Sequence, residues 1–187
     1  MFPSAEDVFA DRIEEHSKLL FPLFSVDLNE INSKWTGKVY MLQFNEDPYN
    51  RETVSSFNDY CKDCMIGFDV KDGKYSFKTD FKYFDLTRDW TEWFEKTKTS
   101  FTQTKQRFEQ TGKLITPNNE QGDIYEQMGG EPNWTQSDET PVDPDGNQMT
   151  FITKVYTGNY TDDSCDKDLY LFYSDKHKIA VLLYQNT

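Results

Sequence analysis

The sequence predicts an α+β protein, one domain over residues 1–187, with an antiparallel β-sheet core, an N-terminal helix and a long central helix. Three observations predict it. Short apolar and aromatic runs recur between turn-forming residues, as strands joined by tight connections do. One long stretch, from Thr87 to Gly112, switches instead to helical spacing. Finally, 15 Phe, 11 Tyr and 4 Trp supply 16% of a chain whose mean hydropathy is −0.83, so the core must be built largely on rings. A length of 187 residues suits one well-buried domain, since domains usually run ~100 to 200 residues.

From the amino terminus, Ser4 is placed to cap a helix whose first turn carries Glu6 and Asp7, and Val8, Phe9, Ile13, Leu19 and Leu20 follow at helical spacing. This helix is expected to run to about Leu20 and to be closed by Pro22. His16 falls beside the apolar stripe, where a partly buried structural histidine is expected. Strands are expected at 23–28, 38–44, 65–70 and 74–79. The last two are joined through Lys71-Asp72-Gly73, and Asp-Gly predicts a type I′ hairpin because both central residues of that turn need positive φ. Between Thr87 and Gly112, Trp90, Trp93, Phe94, Phe101 and Phe108 are expected near one helix face, with Asp89 and Glu92 in the first turn and Gly112 as the C-terminal cap. Residues 117–130, with Asn118, Asn119 and Gly122, read as a loop. Strands resume at 149–157, 168–173 and 179–185, the last pair joined in a hairpin through Ser174-Asp175-Lys176-His177-Lys178.

Charge narrows the function classes. Lys plus Arg total 20 against 33 Asp plus Glu, a formal net charge of −13 and a pI near 4.5. Nucleic-acid binding is not expected, because its main affinity term comes from basic groups that displace counterions from phosphates. An acidic surface instead repels anionic lipid and attracts basic proteins. No stretch approaches the ~20 apolar residues of a membrane span, and the amino terminus is acidic before any hydrophobic run, so neither a secretion signal nor an anchor is expected. Three cysteines fit a reducing compartment. A cytoplasmic location with no membrane partner is the expectation.

Candidate chemistry is sparse. Cys61-Lys62-Asp63-Cys64 has metal or redox spacing, yet zinc would need two further ligands from afar, such as Cys165 and His177 or His16. A thioredoxin-like motif would open a helix, whereas Met65 to Val70 reads as a strand. Asp143-Pro144-Asp145-Gly146 could offer two carboxylates to a hard cation, but the remaining oxygen ligands of an EF-hand are missing and a turn is the favoured reading. Two histidines and no Gly-x-Ser-x-Gly elbow leave a Ser/His or Cys/His hydrolase without its parts. The expectation is therefore a protein that is not an enzyme, with no catalytic residue, no metal and no cofactor.

The most specific run is Gly129-Gly130-Glu131-Pro132-Asn133-Trp134-Thr135-Gln136. Paired glycines open backbone conformations closed to other residues, and Pro132 disfavours helix just before it, so the chain should leave the turn extended. Alternation would then put Pro132, Trp134 and Gln136 on one side and Asn133 and Thr135 on the other. Two readings follow for the indole and carboxamide: a small groove for a peptide or polar ligand, or an internal motif in which the ring packs and the amide satisfies buried backbone. The internal reading is favoured.

With the downstream segments Thr140 to Ile152, Asp168 to Asp175 and Ala180 to Gln185, this run resembles the carboxy-terminal half of the YwqG-like bacterial family. The clearest match covers 129–185, while residues 45–126 diverge. Where many relatives have Cys-Pro-x-Cys-Gly, this chain has Asp143-Pro144-Asp145-Gly146, which removes a thiolate zinc site. The resemblance implies Gly129, Gly130, Pro132, Trp134 and Gln136 as motif residues. It also implies a cytoplasmic protein, in some members beside toxin genes. The function expected is therefore direct binding of a protein partner, as an immunity protein neutralising a basic toxin encoded nearby. The alternative is a housekeeping or small-ligand-binding domain.

Overall fold

The computed structural model of the protein describes residues 1–44, 53–84, 88–162 and 166–187, and of residues 88–91 the backbone alone. Among the described residues, three α-helices and two antiparallel sheets form one α+β unit.

Helix α1 (Ala5–Val8) starts where expected: Ser4 Oγ accepts the Asp7 amide as an N-cap. It does not continue to Leu20. The chain breaks at Arg12, which takes a left-handed conformation (φ 46°, ψ 41°), and a second helix, α2, spans Ile13–Leu19. The cause is tertiary. Phe9 forms a parallel bridge to Tyr75, and the Ala10 amide donates to the Tyr75 carbonyl at 2.9 Å, so these residues leave the helix to cover a sheet edge. Pro22 does not close the helix either; it lies within strand β1 (Leu20–Asp27), opposite Leu42.

His16 is fully buried rather than partly so. Its ring stacks on Phe9 at 4.2 Å and meets the Phe81 ring edge-on at 4.8 Å, while Nδ1 donates to the Arg12 carbonyl at 2.9 Å. Burial lowers its pKa below the ordinary 6.5, despite the opposing effects of the Arg12 carbonyl and Asp11.

Strand β1 pairs with β2 (Lys38–Phe44) in a two-stranded sheet. The larger sheet has six strands in the order β4-β3-β8-β7-β6-β5, formed by β3 (Met65–Lys71), β4 (Lys74–Phe77), β5 (Gln127–Met128), β6 (Thr150–Tyr156), β7 (Lys167–Ser174) and β8 (Ile179–Asn186). The β3–β4 turn has the predicted geometry, with φ 51° at Asp72 and 75° at Gly73. Tyr75 ties the two sheets together: its hydroxyl accepts from the Tyr40 amide at 2.7 Å and donates to the Tyr40 carbonyl at 2.8 Å.

Helix α3 (Arg88–Thr111) ends at Gly112, whose φ of 67° suits the C-terminal turn. Its inward face is Phe94, Thr97, Ser100, Phe101, Thr104 and Phe108. Phe101 stacks on Phe21 at 5.0 Å, and Phe108 meets Phe2 at 5.5 Å. Trp93 does not share this face; it is 48% exposed, with Lys96 over its ring. The inward stripe is continued by small hydroxyl residues, which apolar spacing alone does not reveal. The side chains of Asp89 and Trp90 and the expected contribution of Thr87 lie outside the described residues.

The six-stranded sheet has two covered faces. Ile66, Phe68, Leu169, Leu171, Leu182 and Tyr184 join the main core with the small sheet and the helices. Met65, Phe151, Tyr170, Phe172, Val181 and Leu183 form a second apolar cluster, against which Trp134 and Tyr60 pack. Among the described residues no helix contributes to that second cluster. An irregular strap, residues 129–149, lies over it.

Candidate functional site

The strap begins at the paired glycines, both left-handed as their positions require: φ is 62° at Gly129 and 77° at Gly130. The Gly129 amide donates to the Ile152 carbonyl at 2.8 Å, which starts the strap against β6. Pro132 is partly buried. Trp134 is partly buried too, stacked on Tyr170 at 4.7 Å and Phe172 at 5.7 Å.

Strict alternation fails after the tryptophan. The strap bends at Thr135 and Gln136 instead of forming a strand, so both residues are exposed although Thr135 still hydrogen-bonds Tyr170 and Asp168 of the sheet. The Gln136 side chain reaches the Asn186 carbonyl at 3.1 Å, at the rim. The carboxamides that satisfy the strap's backbone belong to two other glutamines. Gln127 donates to the carbonyls of Gly129 and Glu131 and accepts from the Asn133 amide. Gln185, buried at the end of β8, accepts from the amides of Thr135 (3.1 Å) and Gln136 (2.9 Å) and donates to the Ser137 carbonyl (2.6 Å).

Beside Gln185 sits a buried ion pair. Lys154 Nζ is 2.8 Å from Asp168 and 3.2 Å from Glu126. Burial alone would lower the Lys154 pKa, but the two carboxylates outweigh it and raise it. The Thr135 hydroxyl donates to Asp168 and lies 3.1 Å from the Tyr170 hydroxyl. With Asp168 already neutralised by the lysine, this hydroxyl acts as an anchor for the strap.

The strap's far end bounds a cleft of about 590 Å³. One wall is Asp59 to Met65 and the other is Glu139 to Gly146, with Leu183 at the floor. Asp59, Asp63, Glu139 and Asp143 contribute carboxylates, and Lys62 is the one basic residue in this lining. Exposed Val142 adds an apolar edge. The Tyr60 phenol is raised above 10.0 chiefly by burial, with Asp59 and Asp143 adding to it.

Cys61 and Cys64 do not act as a matched pair. Cys61 is buried beneath the cleft, accepts weakly from the Gly67 amide, and has a thiol pKa pushed up by burial to about 11. Cys64, with a left-handed backbone, lines the cleft. Cys165 lies outside the described residues. The ligands proposed from afar do not converge either, since His16 is enclosed by Phe9 and Phe81, and His177 faces Asp145 at 2.9 Å.

Asp143-Pro144-Asp145-Gly146 is a turn, closed by the Gly146 amide donating to the Asp143 carbonyl at 2.9 Å, with φ 81° at Gly146. Asp143 Oδ1 accepts from the amides of Asp145 and Asn147. Burial would raise the Asp143 carboxyl, but these donors, the Asn147 side chain and nearby His177 together hold it below its ordinary value. Sequence spacing did not bring His177 to this turn; the β7–β8 hairpin does.

No family model, no curated protein and no solved structure matches this chain. The YwqG-like resemblance therefore rests on its motif residues. No described helix is long and apolar enough to cross a membrane.

Proposed function

We propose that this protein acts in the cytoplasm by binding a basic protein partner, without catalysing a reaction, and that the cleft between Asp59–Met65 and Glu139–Gly146 receives it. The observation that carries this reading is the charge of that cleft: four carboxylates against Lys62, beside exposed Val142, on a chain of net charge −13. Such a surface steers a cationic partner and offers an apolar contact once it has docked. The YwqG-like motif supplies the particular version, an immunity protein that neutralises a toxin encoded nearby by occluding it.

The test is co-purification with the product of the adjacent gene, followed by association rates at rising salt. A complex whose association slows with salt, and slows further in Asp63→Lys and Glu139→Lys, supports the proposal. Absence of a complex, together with no protection of cells expressing that product, would overturn it. A cleft of about 590 Å³ also falls within the ~300–1,000 Å³ typical of small-ligand sites, which favours a ligand-binding domain as the second reading. A thermal shift with a small metabolite, in a protein that binds no neighbouring product, would decide for it.

A further inference from the structure

Three donor groups from two separate loops meet at the edge of the cleft, whose wall includes Asp143. Asp143 and Asp145 come from the strap turn, and His177 from the β7–β8 hairpin; their ligating atoms lie within 4.8 Å of one another. His177 Nε2 stands 2.9 Å from Asp145 Oδ2 and 3.8 Å from Asp143 Oδ2. Two ligands on one zinc ion at ~2.0–2.2 Å can stand at most ~4.4 Å apart, so both separations from His177 are short enough for one shared ion.

The division of labour within Asp143 is informative. Its Oδ1 is taken up by backbone amides, at 2.9 Å from Asp145 and 3.0 Å from Asn147, whereas Oδ2 has only the Asn147 amide at 3.4 Å and looks toward the imidazole. A side chain that is 8% exposed is thus fixed in place by one oxygen and presents the other. The imidazole is not a local product of the turn: thirty-odd residues of chain and two strands intervene, so its arrival is set by the sheet. Lys176 Nζ now partners Asp145, but its side chain is 71% exposed and can swing into solvent. A divalent ion would take over the charge balance that this ammonium supplies.

We propose that Asp143, Asp145 and His177 form a binding site for a divalent transition-metal ion of the zinc class, completed by water. An imidazole with two carboxylates suits zinc and its neighbours, whereas calcium would need 6–8 oxygens that these residues do not provide. The site bridges strap and hairpin, so an ion there would fasten the strap's far end to the sheet. The site shares Asp143 with the cleft wall but requires no partner in the cleft.

The experiment is calorimetric titration of the purified full chain with Zn²⁺ alone. One saturable site is expected, weakened at least about tenfold in His177→Gln and in Asp145→Asn, because each removes a direct ligand. Lys176→Gln should bind Zn²⁺ at least as tightly as the parent, since a competing cation is gone; a merely structural salt-bridge cluster predicts no such asymmetry. Thermal melts of the metal-free variants control for folding. Absence of saturable binding to the parent would overturn the proposal. So would binding that survives His177→Gln but is lost in Cys61→Ser or Cys64→Ser, which would place the ion on the thiols.

Discussion

Replacing Trp134 with alanine tests whether the strap is held chiefly by its indole. A covered tryptophan buries ~150–250 Å². Trp134 is partly buried, so about 150 Å² of apolar surface is at stake, worth ~3.8 kcal/mol at ~25 cal/mol/Å². The alanine keeps its Cβ contacts, while stacking on Tyr170 and Phe172 adds ~0.5–1.5 kcal/mol. The expected loss is ~4 kcal/mol, within the ~3–5 kcal/mol for truncating a large aromatic. Urea unfolding gives the total, and hydrogen exchange gives the location: the Thr135 and Gln136 amides should lose protection first, as they depend on the strap staying against Gln185. Trp134→Phe should recover more than half of the loss. A Trp134→Ala protein within ~0.5 kcal/mol of the parent, still protected at Thr135, would refute the reasoning and mark the ring as a contact for something outside the fold.

Gln185→Leu should cost ~1–3 kcal/mol in urea unfolding, since it removes the acceptor of the Gln136 amide and the donor to the Ser137 carbonyl while Thr135 keeps the Tyr170 hydroxyl, and a loss as small as that of an exposed glutamine would show that the strap does not depend on it. Native Cys61 should resist iodoacetamide at pH 8 while the urea-unfolded chain reacts. Its pKa is raised from 9.0 to about 11, so the stability this thiol contributes is complete below 9 and is lost as pH rises toward 11; rapid native labelling at Cys61 would contradict that. His16 works in the opposite direction. Its pKa is depressed below 6.5, so its contribution is complete above that value and is lost as pH falls through the folded-state value; the unfolding midpoint of the parent should drop between pH 7 and 5 more steeply than that of His16→Phe, and parallel curves would exclude the effect.

Elements whose causes are local were legible. The β3–β4 hairpin follows from Asp72-Gly73 alone, and α3 ends at Gly112 because the last turn needs positive φ. Strand β2 runs from Lys38 to Phe44, as its composition indicates. The break at Arg12 was not legible, because Val8, Phe9 and Ile13 keep helical spacing across it. What interrupts the helix is the edge of β4, more than sixty residues away, offering the Tyr75 carbonyl to Ala10. Trp93 misled for a related reason. Thr97, Ser100 and Thr104 occupy the inward stripe of α3, so large apolar residues alone gave a face rotated toward solvent.

The strap was legible at its glycines and its tryptophan, but not in the groups that hold it, which lie on β7 and β8. Asp168, Tyr170 and Phe172 alternate toward the second face of the sheet, as do Ile179, Val181, Leu183 and Gln185. In each strand one end of an inward-pointing series is polar, which places an amide and a carboxylate where the apolar cover ends. A polar residue that continues an inward alternation must find partners once it is buried, and an irregular segment with unpaired backbone groups must find donors and acceptors. Each requirement answers the other: Gln185 takes the amides of Thr135 and Gln136, and Asp168 takes the Thr135 hydroxyl. The second sheet face is thus closed by a segment without regular structure because the strand ends carry the complement of what that segment lacks, and the strap's exposed far end is left to form one wall of the acidic cleft.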